Sequence, residues 1–239
     1  MNIILGLGIL GLLLVSMFII FIRLKKNQTI KENIVNYILV SLILICYILE
    51  IVSKAVFLKY DFNAIVYAFP LRNISPTLFC FSFLIYFLRG RALDTCKYVY
   101  SYLSIALIIA GFVCPATLPI SYNLSYLSID VFFSSVAHIF AGSLGLWFVL
   151  SRQVALDKNS IKNTLIIIYS LIIICLIINA IFKTNLLGLG MFANYSIYDL
   201  VRVEPYILTL LIFVVGVTSI VIISHLLFKC IFNRRKNDA

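Results

Sequence analysis

The sequence predicts an all-α, polytopic membrane protein: one domain of seven transmembrane helices, N-terminus outside and C-terminus in the cytosol. Three observations lead there. Of 239 residues, 63% are hydrophobic and 12% charged, against roughly 45–50% and 25% in soluble domains. The mean hydropathy is +1.12. The charges gather in short clusters between apolar runs of about 20 residues, the length a helix needs to cross the hydrocarbon with its own backbone groups satisfied. This excludes a water-soluble enzyme, a disordered tail and a nucleic-acid-binding module. The net charge of +10 does not revive nucleic acid, because the basic residues sit in the connections.

Seven segments qualify as spans. Ile3–Ile22 has no charge, and Ile34–Phe57 carries Glu50 and Lys54. The third, about Ala64–Leu88, is interrupted by Pro70, Arg72 and Pro76. Tyr98–Cys114 is the shortest and opens with tyrosines suited to a membrane interface. Val131–Leu150, Asn163–Phe182 and Tyr206–Phe228 complete the set. No run alternates with period two, which argues against a transmembrane barrel. The first span lacks a positive n-region and a small-residue cleavage site, and so reads as an uncleaved anchor. Pro115–Asp130 and Lys183–Pro205 read as longer outer loops able to fold over the bundle's mouth.

Orientation follows from the basic residues. Arg23, Lys25, Lys26, Lys31, Arg89, Arg91, Lys97, Arg152, Lys158, Lys162, Lys229, Arg234, Arg235 and Lys236 all fall on one side, 14 of the 19 Lys and Arg. That side is assigned to the cytosol, where such residues also bind anionic headgroups. The bias toward Ile, Lys, Asn, Phe and Tyr is typical of a low-GC bacterium, and places the chain in a bacterial plasma membrane. The six cysteines show no C-x-x-C spacing and read as structural. Two histidines are too few for a zinc site, and no cofactor is expected.

Ionisable groups at membrane depth cost free energy and ask for a partner or a purpose. Five spans place polar residues in the same outer half of the bundle. Glu50 and Lys54, four apart with Glu first, can form a helical ion pair. Arg72, Asn73 and Ser75 open the third span. His138 lies two turns into the fifth, on the face of Ser134, and is a natural general base. Asn179 ends the sixth span, Thr184 and Asn185 follow it, and Glu204 and Tyr206 open the seventh. These positions predict a polar cavity opening to the outer leaflet. Ala141 and Gly145, four apart, predict close helix packing.

The same positions carry a family resemblance. The stretch Phe69–Pro76 (FPLRNISP) resembles the LPLHLC segment of the YwaF-like bacterial membrane proteins. Ser135–His138 (SVAH) resembles their Ser-His segment. Asn179–Asn185 (NAIFKTN) resembles their Asn followed by Thr-Asn-Tyr, and Glu204–Tyr206 (EPY) their Trp-Pro-Trp-Tyr. Glu50 falls where that family tends to carry a Glu, and order and spacing agree from about residue 45 to 225. Animal relatives include an intramembrane acyltransferase acting on ether phospholipids through a Cys nucleophile and a His base; a related fold hydrolyses lipid esters with Thr and His.

The resemblance implies acyl transfer or hydrolysis on a membrane phospholipid, with His138 as base. The family's Cys falls on Ile74 and its His on Arg72 or Asn73, so the nucleophile would be Ser75 or Thr77; Cys80 lies deeper and on nearly the opposite face. Arg72 would anchor a lipid phosphate, and Asn179 and Asn185 would donate to an oxyanion. Asn73, Glu50, Lys54 and Tyr206 would complete the substrate site. Two readings stand beside this one: a non-enzymatic protein binding a lipid or small molecule in the same cavity, and a proton-coupled transporter using Glu50, Lys54 and His138.

Overall fold

The computed structural model describes residues 1–27, 32–60, 65, 69–71, 74–121, 127–182, 184, 186 and 206–237, with side chains at all of these except 26–27, 114–121, 206–207, 209 and 231–237. The helices in chain order are α1 (Ile3–Asn27), α2 (Glu32–Val52, prolonged by a π-helical turn, Ser53–Phe57), α3 (Ile74–Phe83, ending in a 3-10 turn, Leu84–Tyr86), α4 (Gly90–Ser121), α5 (Ile129–Leu150), α6 (Lys158–Phe182) and α7 (Tyr206–Asn237). Among the described residues, six helices, all of these but α3, are long and apolar enough to cross a membrane, as in a multi-pass membrane protein.

Two expected spans differ in extent. The third is not one continuous helix from Ala64 to Leu88, because Phe69, Pro70 and Leu71 are non-helical and α3 begins at Ile74. Pro70 explains part of this, since it disfavours helix in the residue before it. Pro76 sits in the first turn of α3, where its missing N–H would have had no partner. From Ile74 to Tyr86 the chain is too short to cross on its own. The fourth helix is longer than expected. It takes up the charged Arg91, Asp94 and Lys97 at one end and continues through Pro115 and Pro119 to Ser121. A single proline costs a helix one hydrogen bond, which membrane helices tolerate where neighbours compensate. Gly90, at φ +56°, makes the sharp turn from α3 into α4.

Hydrogen bonds define the two ends of the bundle. Leu127 N–H donates to Met1 O at 2.7 Å, which brings the starts of α1 and α5 together. At the opposite end Lys25 Nζ caps the last turn of α5 through Leu150 O at 2.6 Å. There too, Asn36 Nδ2 donates to Gln153 Oε1 at 2.8 Å.

Helix α5 is the centre. Of its apolar span 78% is buried, against 11% in α1 and α7 and 17% in α6, so the latter three present most of their apolar surface outward. Small residues put α5 there. A Cβ on Gly145 would stand 2.1 Å from Tyr100 O, and one on Gly142 2.7 Å from Ser104 O. Without those glycines α4 and α5 could not touch backbone to backbone. Their contact, together with Phe79, Tyr100, Leu144 and Phe148, forms the core against which α2 and α3 pack.

A candidate serine–histidine site at the start of α3

His138 lies nine residues beyond Ile129, roughly 13 Å along α5 from its first turn. The side chain is buried, at 4% exposure. Its Nδ1 lies 2.7 Å from Ser134 O, one turn back on the same helix. A carbonyl only accepts, so Nδ1 carries a proton, and in its neutral form the ring presents a lone pair at Nε2. Nε2 in turn lies 2.7 Å from Ser75 Oγ, across the bundle on α3. Phe79 packs edge-on to the imidazole, ring centres 5.0 Å apart at 85°, and fixes its plane. A hydroxyl thus faces the basic nitrogen of a histidine whose other nitrogen is held, the geometry that activates a serine nucleophile.

Ser75 is in position because α3 starts where it does. As the second residue of the helix it has no turn above it on the side of the amino end. The segment leading into α3 is held by Thr77, whose Oγ1 accepts from Leu71 N–H at 2.7 Å. Leu71 adopts φ +66°, a left-handed conformation unusual for a leucine. This is backbone strain four residues from Ser75, retained by a specific hydrogen bond.

The remaining expected residues divide. The structure pairs His138 with Ser75 and spends Thr77 on the backbone of Leu71. Glu50 and Lys54 are bonded to each other, Nζ to Oε1 at 2.6 Å. Glu50 is 5% exposed, and its Oε2 has no partner among the described residues. One turn earlier on α2, Tyr47 packs against Phe79, ring centres 5.8 Å apart and the planes tilted by 59°, so α2 reaches the dyad through Phe79. Asn179 differs from its expected part as an oxyanion donor. Its Oδ1 accepts from Thr184 Oγ1 at 2.9 Å and Leu186 N–H at 2.6 Å, and its Nδ2 donates to Leu186 O at 3.1 Å. It holds the chain returning from α6, so that Leu186 and Ile74 join one apolar cluster with Ile172 and Cys175. Arg72, Asn73 and Asn185 lie outside the described residues. Tyr206 is the first residue of α7, and its side chain lies outside them too.

Sequence reasoning missed the carbonyl of Ser134, the Thr77–Leu71 bond and a buried carboxylate, Asp130, whose Oδ1 has no partner among the described residues. Asp130, Ser134 and His138 recur every four residues, a spacing that places all three on one face of α5. It also missed a polar knot at the opposite end. Tyr102 OH lies 2.7 Å from Ser160 Oγ and 3.2 Å from His225 Nδ1, joining α4, α6 and α7. Among the described residues, no three His, Cys, Asp or Glu side chains converge as a metal site would require.

No family model, curated protein or solved structure matches the chain.

Proposed function

We propose that this chain is an intramembrane serine–histidine enzyme that transfers or hydrolyses the acyl group of a membrane-lipid ester. The observation that carries the reading is the 2.7 Å contact between Ser75 Oγ and His138 Nε2, with Nδ1 committed to Ser134 O. In the first half-reaction Ser75 Oγ attacks the ester carbonyl while its proton passes to His138 Nε2. The imidazolium keeps its Nδ1–H on Ser134 O. The tetrahedral intermediate collapses, the C–O bond to the lipid alcohol breaks, and Nε2 returns the proton to the leaving oxygen. In the second, a water or a lipid hydroxyl gives its proton to Nε2 and attacks the acyl-serine; the bond from the acyl carbon to Oγ breaks, Nε2 returns the proton to Ser75 Oγ, and the fatty acid or the new ester leaves.

The first turn of α3 supports charge development on the carbonyl oxygen. Helix geometry leaves the N–H groups at this end without intrahelical acceptors, and Pro76 removes only one of them. The resemblance to the YwaF-like proteins adds the substrate class, a phospholipid, and the basic-residue pattern adds the outer leaflet as the side of access. The family's Cys is replaced in role by Ser75, one residue along from Ile74.

A fluorophosphonate, which reacts with activated serines, tests the reading directly. The purified protein should carry one adduct, at Ser75, and His138→Ala should lose it. Removing a general base typically costs 10²- to 10⁴-fold in rate. Lipid profiles of cells overproducing the wild type should show altered lyso-lipid or acyl content, absent with His138→Ala. No adduct and identical profiles, with folded and abundant protein, would leave the non-enzymatic lipid-binding reading in its place.

A further inference from the structure

A cleft of about 180 Å³ runs between α3, α4 and α6. Its wall on α3 is Ile74, Thr77, Leu78 and Phe81, continued by Leu84 in the 3-10 turn and Leu88 beyond it. Along α4 it extends from Leu103 to Ala92, eleven residues or roughly 16 Å. A lipid chain spans about half of the ~30 Å hydrocarbon core, or ~15 Å. The few polar atoms on this wall are occupied: Tyr100 OH donates to Leu78 O, and Thr77 Oγ1 accepts from Leu71 N–H. Beyond these the lining is apolar but for the Cys96 thiol. At the Ile74 end the cleft reaches the start of α3, where no further turn separates it from Ser75.

From this we infer that the cleft between α3, α4 and α6 receives the acyl chain of the substrate, with the ester at Ser75 and the terminal methyl toward Leu88 and Ala92. The inference rests on the proposed serine–histidine chemistry and adds to it where the chain lies, which way it points and what limits its length. The occupant is a single unbranched chain, because the cleft holds only about 180 Å³, is lined mostly by apolar side chains and matches one leaflet's chain in length. Bilayer hydrocarbon is as apolar as this wall, so the cleft supplies no hydrophobic affinity. Its contribution is to hold the ester in line with Ser75 Oγ, an effect on rate.

The test uses the full-length protein in vesicles of phosphatidylcholine, a fraction of which carries a photoreactive diazirine at the terminal carbon of one acyl chain. Labelled residues are mapped by mass spectrometry in the wild type and in Ser75→Ala, and ester cleavage is followed in parallel. Most of the specific label should fall on Leu84, Leu88, Ala92 and Cys96, equally in both proteins. Ala92→Phe and Leu84→Phe, two independent ways of raising the floor, should each shift turnover toward shorter chains. Label concentrated at Ile74 and Leu103 would mean that the chain enters the other way round, and would overturn the inference. So would label spread over the outward faces of α1 and α6, or turnover with unchanged chain preference in both floor variants. Label in the cleft without ester cleavage by the wild type would instead overturn the proposed chemistry and leave the cleft as a chain-binding site.

Discussion

Replacing Thr77 by valine keeps the shape of the side chain and removes one hydrogen-bond acceptor. Leu71 N–H, now held by Thr77 Oγ1 at 2.7 Å, is left without its partner beside a side chain that is 2% exposed. Leu71 itself is 38% exposed, so the loss is that of one ordinary hydrogen bond, about 0.5–1.5 kcal/mol. Leu71 also sits at φ +66°, a conformation that costs an L-residue roughly 1–2 kcal/mol. With the bond gone, both terms favour relaxation of residue 71, four positions from Ser75. A displacement of ~1 Å at a reacting group can lower a rate by 10²-fold. Fluorophosphonate labelling of Ser75 should therefore slow by about one to two orders of magnitude in Thr77→Val. Thr77→Ser, which keeps the oxygen, should label near the wild-type rate. The adduct must remain on Ser75 in every variant. Labelling of Thr77→Val at the wild-type rate would refute the positioning argument, and an adduct on Thr77 in the wild type would refute the choice of nucleophile.

Other outcomes follow from the same geometry. Gly145→Ala should destabilise the bundle by about 1–3 kcal/mol or more, since the added carbon meets Tyr100 O at 2.1 Å; Gly216→Ala, with nothing within 4 Å, should leave the melting temperature in detergent unchanged or raise it. Glu50→Gln breaks a buried pair and should cost about 3–5 kcal/mol. The double variant Glu50→Gln/Lys54→Met should regain part of that in the same melt, and equal losses in single and double would show that the pair is not coupled. Asn179→Leu should raise hydrogen exchange at the Leu186 amide, whose acceptor it removes, while exchange in the middle of α5 stays unchanged. Tyr102→Phe should cost about 0.6 kcal/mol, the average for an interhelical hydrogen bond in a membrane, read as a small drop in melting temperature.

The fold class was written in composition and periodicity. Six apolar runs separated by basic clusters became six long helices, because a chain this apolar has few ways to satisfy its backbone in hydrocarbon. The ends of those helices were less legible. Arg91, Asp94 and Lys97 look like a connection in a hydropathy count, yet they occupy the first turns of α4, where charged side chains can reach out of the apolar zone. The third span failed as a continuous helix because hydropathy measures transfer of side chains and is blind to Pro70 and to the left-handed Leu71.

The polar positions were legible as a set but not as partners. Glu50 and Lys54 could be paired from spacing alone, since one helix turn brings residues four apart together whatever the fold. His138 with the carbonyl of Ser134 obeys the same local rule. Ser75 and His138 are 63 residues apart, and no local rule relates them. Their contact exists because Gly142 and Gly145 let α4 close onto α5, Phe79 packs α3 against the imidazole, and Thr77 ends the strained approach to α3 at the depth of His138. The sequence alone determined that this chain is a bundle of apolar helices carrying a buried histidine and several hydroxyls. Which hydroxyl faces that histidine, and that an apolar cleft lined by Ile74 lies between three helices, only the tertiary structure decided, because both depend on distances between segments that the chain's own spacing does not set.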